Sequence, residues 1–335
     1  MQIAAREIAT SKRGEQPSGE WWGFYVEALE AGVNVSMQVL DNYDPAPDVS
    51  LEASKDGGKT WVPFYSYEDW SIVIQEEIIL SNIGDRVCIR AGNVGNDTFA
   101  DGGLDYHYLH CSKRVAVGGE IRSLLKREVT NIPSTLSSCA FQSFFSGETS
   151  LVDSTNLILP NSIGESCYAY MFSGCTSLTT APALPATTLA NNCYNSMFQS
   201  CTSLTSAPTL LATTLVDYCY SGMFQYCTKL SLPPDLPATT LARNCYSYMF
   251  YGCSSLTYAP ILYATTLVPY CYSQMFFNCN RLASIVTSHT AWNSNNATYN
   301  WVSSVKSSGT FTCPAALPQT RGISYIPNNW TIVTT

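Results

Sequence analysis

The cysteines are the residues of this chain whose spacing could carry the widest range of chemistry, because thiols form disulfides, bind metals and act as nucleophiles. Ten of the fourteen cysteines form pairs eight positions apart, and the pairs recur at a step of 26 residues. They are Cys167 and Cys175, Cys193 and Cys201, Cys219 and Cys227, Cys245 and Cys253, and Cys271 and Cys279.

Disulfides and zinc fit this spacing poorly. On a helix, residues eight apart are separated by about 12 Å, whereas the Cα atoms of a disulfide lie within about 7 Å. Equivalent cysteines of neighbouring repeats could lie about 5 Å apart, but the five members of a column cannot all pair. The spacing is not a structural zinc pattern, and the repeat contains no histidine. We therefore expect buried, reduced thiols that act as small apolar side chains.

The other reactive side chains do not form a recognisable catalytic set. His107, His110 and Cys111 are close in sequence and could bind a metal if a further ligand came from elsewhere, but on a strand the two histidines point to opposite faces. Glu76 and Glu77 are likewise neighbours that face opposite ways. The chain has no phosphate-binding loop, nucleophile elbow or zinc-protease motif. The sequence predicts no enzyme activity, no cofactor and no metal.

The tyrosines are better candidates for a functional surface, because rigid rings that carry hydroxyls suit contact with sugars or proteins. The tyrosine after the first cysteine recurs in every repeat and is expected to be half-buried packing: Tyr168, Tyr194, Tyr220, Tyr246 and Tyr272. Other aromatic and amide residues stand at positions that vary between repeats. These form the candidate binding surface: Tyr170, Tyr226, Tyr248, Tyr251, Tyr258, Gln199 and Gln225.

The first third of the chain predicts a β domain. Residues 1–20 are polar and resemble an arm. Residues 21–118 consist of short alternating runs divided by turn signals, such as the apolar alternation at 33–39 and the sequence Asp56-Gly57-Gly58-Lys59, which is typical of a hairpin. An antiparallel β-sandwich is the simplest packing of such strands.

Residues 119–285 predict a stack of repeats. A short helix is expected at 120–128, then a degenerate coil that begins at Cys139 and carries Glu148 near the second cysteine position, then five repeats of 26 residues. Cysteine, methionine and cysteine lie at i, i+4 and i+8, which predicts a two-turn helix with these side chains in the core, followed by a short extended segment such as 204–208. The methionines are Met171, Met197, Met223, Met249 and Met275.

The motif at 171–179, Met-Phe-Ser-Gly-Cys-Thr-Ser-Leu-Thr, and the sequence Leu-Pro-Ala-Thr-Thr-Leu at 184–189 resemble the BspA-type leucine-rich repeats of Bacteroidetes surface proteins and of their gut (crAss-like) phages. The resemblance covers roughly residues 135–285. It implies an α/β leucine-rich-repeat solenoid that recognises a host or partner surface. Residues 286–335 are similar to the terminal segment of such proteins and would cap the last coil. The expected fold is therefore β-rich and multidomain: a β-sandwich, a solenoid and a cap.

The charge of the chain and its apolar stretches indicate which partners and which cellular location to expect. The formal net charge is −8 and no run of cations exceeds a pair, so nucleic acid is not expected as a partner. No apolar stretch near the N-terminus is long enough for a secretory signal, and none in the chain is long enough for a membrane span. We expect a phage virion surface protein made in the host cytoplasm, either a capsid decoration, a head fibre or a tail-fibre component.

In that interpretation the N-terminal domain binds other virion proteins, and the repeats bind a host surface protein or polysaccharide. A homo-oligomer is expected, with a trimer possible. The alternative is a secreted or lipid-anchored adhesin on a bacterial cell surface. A carbohydrate-active enzyme in the N-terminal domain is disfavoured, because that domain offers no paired carboxylates at a site.

Overall fold

The protein is β-rich, with antiparallel sheets in its N-terminal part and stacked turns in the rest. The computed structural model describes residues 23–40, 47–68, 71–92, 96, 98–100, 106–125, 135–292 and 295–335. The predicted arm at 1–20 lies outside this range. Within it, the one helical element is a 3-10 helix at Ile121–Leu124, which covers four of the nine residues of the helix predicted at 120–128; residues 126–128 of that prediction lie outside the described residues. The side chain of Glu120 caps it by accepting a hydrogen bond from the Arg122 amide.

The N-terminal part contains nine strands: β1 Tyr25–Ala28, β2 Val33–Leu40, β3 Val49–Ser54, β4 Val62–Glu68, β5 Ser71–Gln75, β6 Ile78–Leu80, β7 Arg86–Ala91, β8 Tyr106–Cys111 and β9 Val115–Glu120. One sheet has the order β9-β1-β7-β3-β4-β5 and the other the order β6-β2-β8. Their neighbouring strands are antiparallel. Buried side chains of both sheets belong to one hydrophobic core.

The hairpin predicted at Asp56-Gly57-Gly58-Lys59 is confirmed, since β3 and β4 pair as antiparallel neighbours on either side of it. The carboxylate of Asp56 organises the turn by accepting hydrogen bonds from the amides of Lys59 and Thr60 and from two hydroxyls. These bonds, with those from Thr60 foremost, hold the pKa of the Asp56 carboxyl well below its usual value.

A further strand, β10 at Leu151–Ile158, joins the N-terminal sheet to the repeats. It pairs in parallel with β9 and so becomes the seventh strand of the larger sheet. On its other side it bonds to the first full repeat, where the amide of Thr179 donates to the carbonyl of Val152 at 2.9 Å. The core also runs without interruption from Phe24 to Trp330. The first strand of the repeat region therefore completes a sheet that the N-terminal part begins.

The helices predicted over the cysteine pairs do not form, and that prediction is wrong. Each of these segments is a run of turns, here called a turn segment, and there are seven of them in the described residues: 139–148, 166–175, 192–201, 218–227, 244–253, 270–279 and 296–305. In each one the first, fifth and ninth residues have positive φ, for example Asn192, Ser196 and Ser200. A right-handed helix cannot accommodate a left-handed residue at every fourth position.

The backbone hydrogen bonds of the turn segments alternate between two directions. In residues 192–201 the amides of every second residue donate within the turn, as Asn195 does to the carbonyl of Asn192. The remaining amides donate to the next repeat 25 residues further on, as Tyr194 does to the carbonyl of Cys219 at 3.1 Å. The same alternation links each turn segment to the one after it. Each repeat is therefore a coil that is hydrogen-bonded to its neighbours through the main chain.

The stack has one more coil than predicted, because residues 286–335 continue it instead of only covering its end. The amides of Tyr272 and Phe276 donate to the carbonyls of Ala297 and Trp301, again 25 residues on. Ala297, Trp301 and Val305 stand one repeat of 26 residues after Cys271, Met275 and Cys279. Without the cysteines, this coil is not visible as a repeat in the sequence.

The degenerate coil predicted to begin at Cys139 forms the first coil of the stack, at its N-terminal end. The amide of Phe141 donates to the carbonyl of Cys167, which sets Glu148 opposite Cys175 at the second cysteine position. At the C-terminal end, three short strands form a parallel sheet: β11 Ser284–Val286, β12 Thr310–Cys313 and β13 Thr331–Thr334.

The last coils contain a buried histidine whose surroundings disfavour its charged form. His289 is fully buried, packs edge-on against Trp292 and hydrogen-bonds the hydroxyl of Thr287 through Nδ1. Its Nε2 is buried with no partner among the described residues. Loss of hydration disfavours the charged imidazolium and lowers the pKa of His289 from 6.5 to about 4.

We expect the protein to lose about 2 kcal/mol of unfolding free energy as the pH falls from about 7.5 to about 5. The folded-state pKa lies below the unfolded one, so the unfolded state takes up the proton first and is favoured as the pH falls through 6.5 toward 4. Urea denaturation across this range measures the slope, and His289→Gln should flatten it. Equal slopes in the two proteins would contradict the assignment.

Candidate binding surface on the repeats

The cysteine and methionine ladder lies where the sequence placed it, inside the stack. All ten paired cysteines and the five methionines Met171, Met197, Met223, Met249 and Met275 are fully buried. None of the fourteen cysteines is in a disulfide. The turns repeat their orientation every four residues, so residues at i, i+4 and i+8 share a face here just as they would on a helix.

The second cysteine of each pair has a specific role. The thiol of Cys201 donates to the carbonyl of Phe172 in the preceding coil at 3.1 Å. The four other second-position cysteines make the same contact to the phenylalanine carbonyl one coil earlier. In the degenerate coil, Glu148 replaces the thiol and accepts hydrogen bonds from the amides of Cys111 and Ser150. This column therefore ties coils together with side-chain hydrogen bonds.

Burial also makes these thiols unreactive. Loss of hydration raises the pKa of Cys193 and of Cys271 to about 12, and it raises the pKa of the other paired cysteines as well. A thiol binds metals or attacks electrophiles as the thiolate. The cysteine columns are thus packing elements at neutral pH.

The repeated tyrosine column is buried more completely than the half-burial expected from the sequence. Tyr168, Tyr194, Tyr220, Tyr246 and Tyr272 stack face to face with ring centroids 5.7–6.0 Å apart. A second ladder of phenylalanines runs beside it, from Phe145 to Phe276. The hydroxyls of Tyr168 and Tyr194 are buried with no hydrogen-bond partner among the described residues. This column cannot contact a ligand.

Three of the candidate binding residues come together on the exposed side of the turn segments. Tyr226 contacts Tyr251 edge-on at 5.3 Å between ring centroids, and Tyr248 lies 6.0 Å from Tyr251. Phe277 stacks in parallel on the other side of Tyr251 at 4.7 Å. We call these four residues the aromatic cluster. Tyr226 and Tyr248 are 42% and 36% exposed, which leaves ring area available for contact.

Polar side chains border the aromatic cluster. The amide of Gln274 donates to the hydroxyl of Tyr248 at 2.8 Å. Gln225 and Gln199 precede Tyr251 in the same column of the stack, one and two coils away respectively, and their amides bond to each other at 3.2 Å. The surface thus has aromatic faces beside amide donors and acceptors.

The two remaining tyrosine candidates are separate from this cluster. Tyr170 occupies the same turn position as Tyr248 but lies three coils earlier. Tyr258 follows the turn segment and sits on the extended part of its coil, where it is exposed. The sequence reasoning missed Phe277 and Gln274. The step of 26 residues could have found both, because it aligns Phe277 with Tyr251 and Gln274 with Tyr248.

The histidines of the N-terminal part do not form a metal site in the described residues, where no group of three or more histidine, cysteine or acidic side chains could hold an ion. His107 is buried, with Nδ1 at 2.9 Å from the Tyr65 hydroxyl and Nε2 at 2.7 Å from the Pro47 carbonyl. His110 is exposed and lies 3.3 Å from the carboxylate of Glu148. Both histidines thus connect parts of the fold.

The chain matches no protein-family model, no curated protein and no solved structure. The resemblance to BspA-type repeats therefore stays a prediction. Among the described residues, no helix has the length and apolar character needed to cross a membrane.

Proposed function

We propose that this chain is a non-enzymatic phage virion surface protein, a capsid decoration, head fibre or tail-fibre component, that presents a leucine-rich-repeat solenoid for adhesion to a host surface or glycan. The alternative, a secreted or lipid-anchored bacterial adhesin, would use the same surface at a different location. In both cases the N-terminal β-sandwich serves assembly and the repeats serve recognition.

The regular main-chain bonding between coils supports the solenoid. Each turn segment bonds to the next at a constant register, and the interior residues repeat with little change. In such an arrangement each unit contacts only its neighbours, and the surface side chains can vary without disturbing the core.

The aromatic cluster is the observation that carries the proposed adhesion. Its rings stand at positions where other coils have serine, glutamine or glycine, so the fold does not require them there. Tyrosine offers a large contact area at a low cost in conformational entropy, and stacked rings beside amide groups suit the apolar faces and hydroxyls of sugars. An exposed cluster of this kind is typical of a binding surface.

In the described residues one edge of the larger sheet is unpaired, and this edge supports the proposed assembly role of the N-terminal part. Strand β5 ends the larger sheet, and its Ile72 and Val73 side chains are 44% and 59% exposed. Proteins usually protect apolar edge strands, because such strands pair readily with another chain. Strand addition by another virion protein or by a second copy would cover this edge, which fits a homo-oligomer such as a trimer.

Replacing the cluster tyrosines should abolish adhesion and preserve the fold. The triple variant Tyr226→Ser, Tyr248→Ser, Tyr251→Gln introduces residues that other coils carry at the equivalent turn positions. Labelled protein should bind Bacteroidetes cells or their extracted polysaccharides at least about tenfold less tightly, since each lost aromatic contact costs on the order of 1 kcal/mol. Binding would be measured by flow cytometry and by biolayer interferometry.

Tyr170→Ser and Tyr258→Ser serve as controls, because both remove an exposed tyrosine outside the cluster. They should bind as the unmodified protein does. A triple variant that retains full binding and the original melting temperature would refute adhesion through the cluster.

The location can be tested separately with an antibody against the repeats. Immunogold electron microscopy of an infected culture should label virions, and the genes beside this one should encode capsid and portal proteins. Label confined to the bacterial envelope would reject the virion proposal in favour of the bacterial adhesin.

A further inference from the structure

The charges of this chain are distributed unevenly. Residues 236–335 contain no aspartate or glutamate, but they contain Arg243, Arg281, Lys306 and Arg321. The chain as a whole has a formal net charge of −8. The last coils therefore carry positive side chains on an otherwise acidic protein, which creates a local positive potential there.

Two of these cations are already used by the fold. The guanidinium of Arg321 donates to the carbonyls of Pro327 and Trp330 at 3.0 and 3.1 Å. Arg243 lies over the ring of Tyr270 at 5.9 Å. Arg281 and Lys306, by contrast, are exposed, and their side chains form no ion pair or hydrogen bond within the part of the chain that the structure describes.

Arg281 and Lys306 line the same cleft, which has a volume of about 250 Å³. Its other lining residues are Thr257, Asn280 and Ala283. Thr257 and Ala283 are equivalent positions of neighbouring coils, as are Asn280 and Lys306, so the lining residues come from three consecutive coils of the stack. The stacking thus brings two cations, an amide and a hydroxyl to one concave place.

Lys306 also borders a second cleft of about 210 Å³, on the side nearer the end of the chain. Polar residues line that cleft too, among them Ser304, Ser307, Asn328 and Asn329. Each cleft is smaller than the roughly 300–1,000 Å³ of a typical small-molecule pocket. Together they suit successive units of a linear chain better than one compact ligand.

We propose that the cleft between Arg281 and Lys306 binds the carboxylate of a uronic acid unit in an acidic polysaccharide. Arginine binds carboxylates with two parallel hydrogen bonds and lysine adds a point charge, while Asn280 and Thr257 are placed to bond sugar hydroxyls. The inference rests on the proposed adhesion and names its ligand class. Since both cations are exposed, one site binds weakly, and an oligomer would gain affinity by engaging several units of the polymer.

The test compares two probes with the same sugar backbone, a galacturonate hexasaccharide and its fully methyl-esterified form, which lacks the negative charges. Calorimetry at low salt should show binding of the acid at least about tenfold tighter than of the ester, because the ester carries no negative charge to pair with the two cations and its carbonyl accepts weaker hydrogen bonds from them. Raising the ionic strength should weaken binding of the acid and leave that of the ester unchanged.

The variant Arg281→Gln, Lys306→Gln should bind the acid only as well as the ester. Its control, Lys229→Gln, Arg243→Gln, removes the same two charges outside the cleft and should retain the preference. Equal affinity of the unmodified protein for the two probes, or a preference that survives the cleft variant, would overturn the inference. This outcome can be distinguished from a failure of the proposed adhesion. If only the anion site is wrong, the triple variant of the aromatic cluster still loses adhesion, whereas the cleft variant keeps it.

Discussion

The hydrogen bonds from alternate amides of one turn segment to the carbonyls of the next hold this structure together. They replace the bonds that a helix would make within itself, and they require the left-handed residues at every fourth position, which turn the amides outward along the stack. None of the residues at these positions is β-branched, as expected where φ is positive. A coil on its own would leave half of the amides of its turn segment unpaired, so the fold depends on stacking. The strand β10 begins the stack by joining it to the N-terminal sheet.

This dependence separates the interior from the surface. The thiols, methionines, tyrosines and phenylalanines that face inward repeat because each must fit the same residue one coil away. The outward residues meet no such constraint, so the coils that form the aromatic cluster and the cationic cleft can differ from the other coils without a cost to the stack. We propose that recognition resides in these departures from the repeat. The aromatic surface would supply contact area, and the cleft would supply preference for an acidic chain.

The sequence predicted the repeat step, the buried ladder and the main strands of the N-terminal part, because all of these are visible as periodic apolar positions. The helices predicted over the cysteine pairs are wrong, because a four-residue turn repeat and a helix both place residues i, i+4 and i+8 on one face. Serine, asparagine or glycine at most of the left-handed fourth positions is the available sign of turns in the sequence. The last of the seven coils is hidden in the sequence because Ala297, Trp301 and Val305 replace the cysteines and methionine. Tyr226, Tyr248 and Tyr251 come together because of the register between coils and the geometry of the turns. The sequence contains the register, but it does not reveal the turn geometry.

The turn backbone is tested most directly by the stability of Ser200→Gly. Ser200 has a φ of 60°, and Gly174 and Gly252 occupy the equivalent position in other coils. In a left-handed turn, glycine removes a steric cost of about 1–2 kcal/mol that exceeds its own entropic penalty, so the account predicts an unfolding free energy that rises by roughly 0.5 kcal/mol or more. In a helix the same substitution would lower the unfolding free energy by roughly 0.5 kcal/mol. A decrease in urea denaturation would contradict the stacked-turn account.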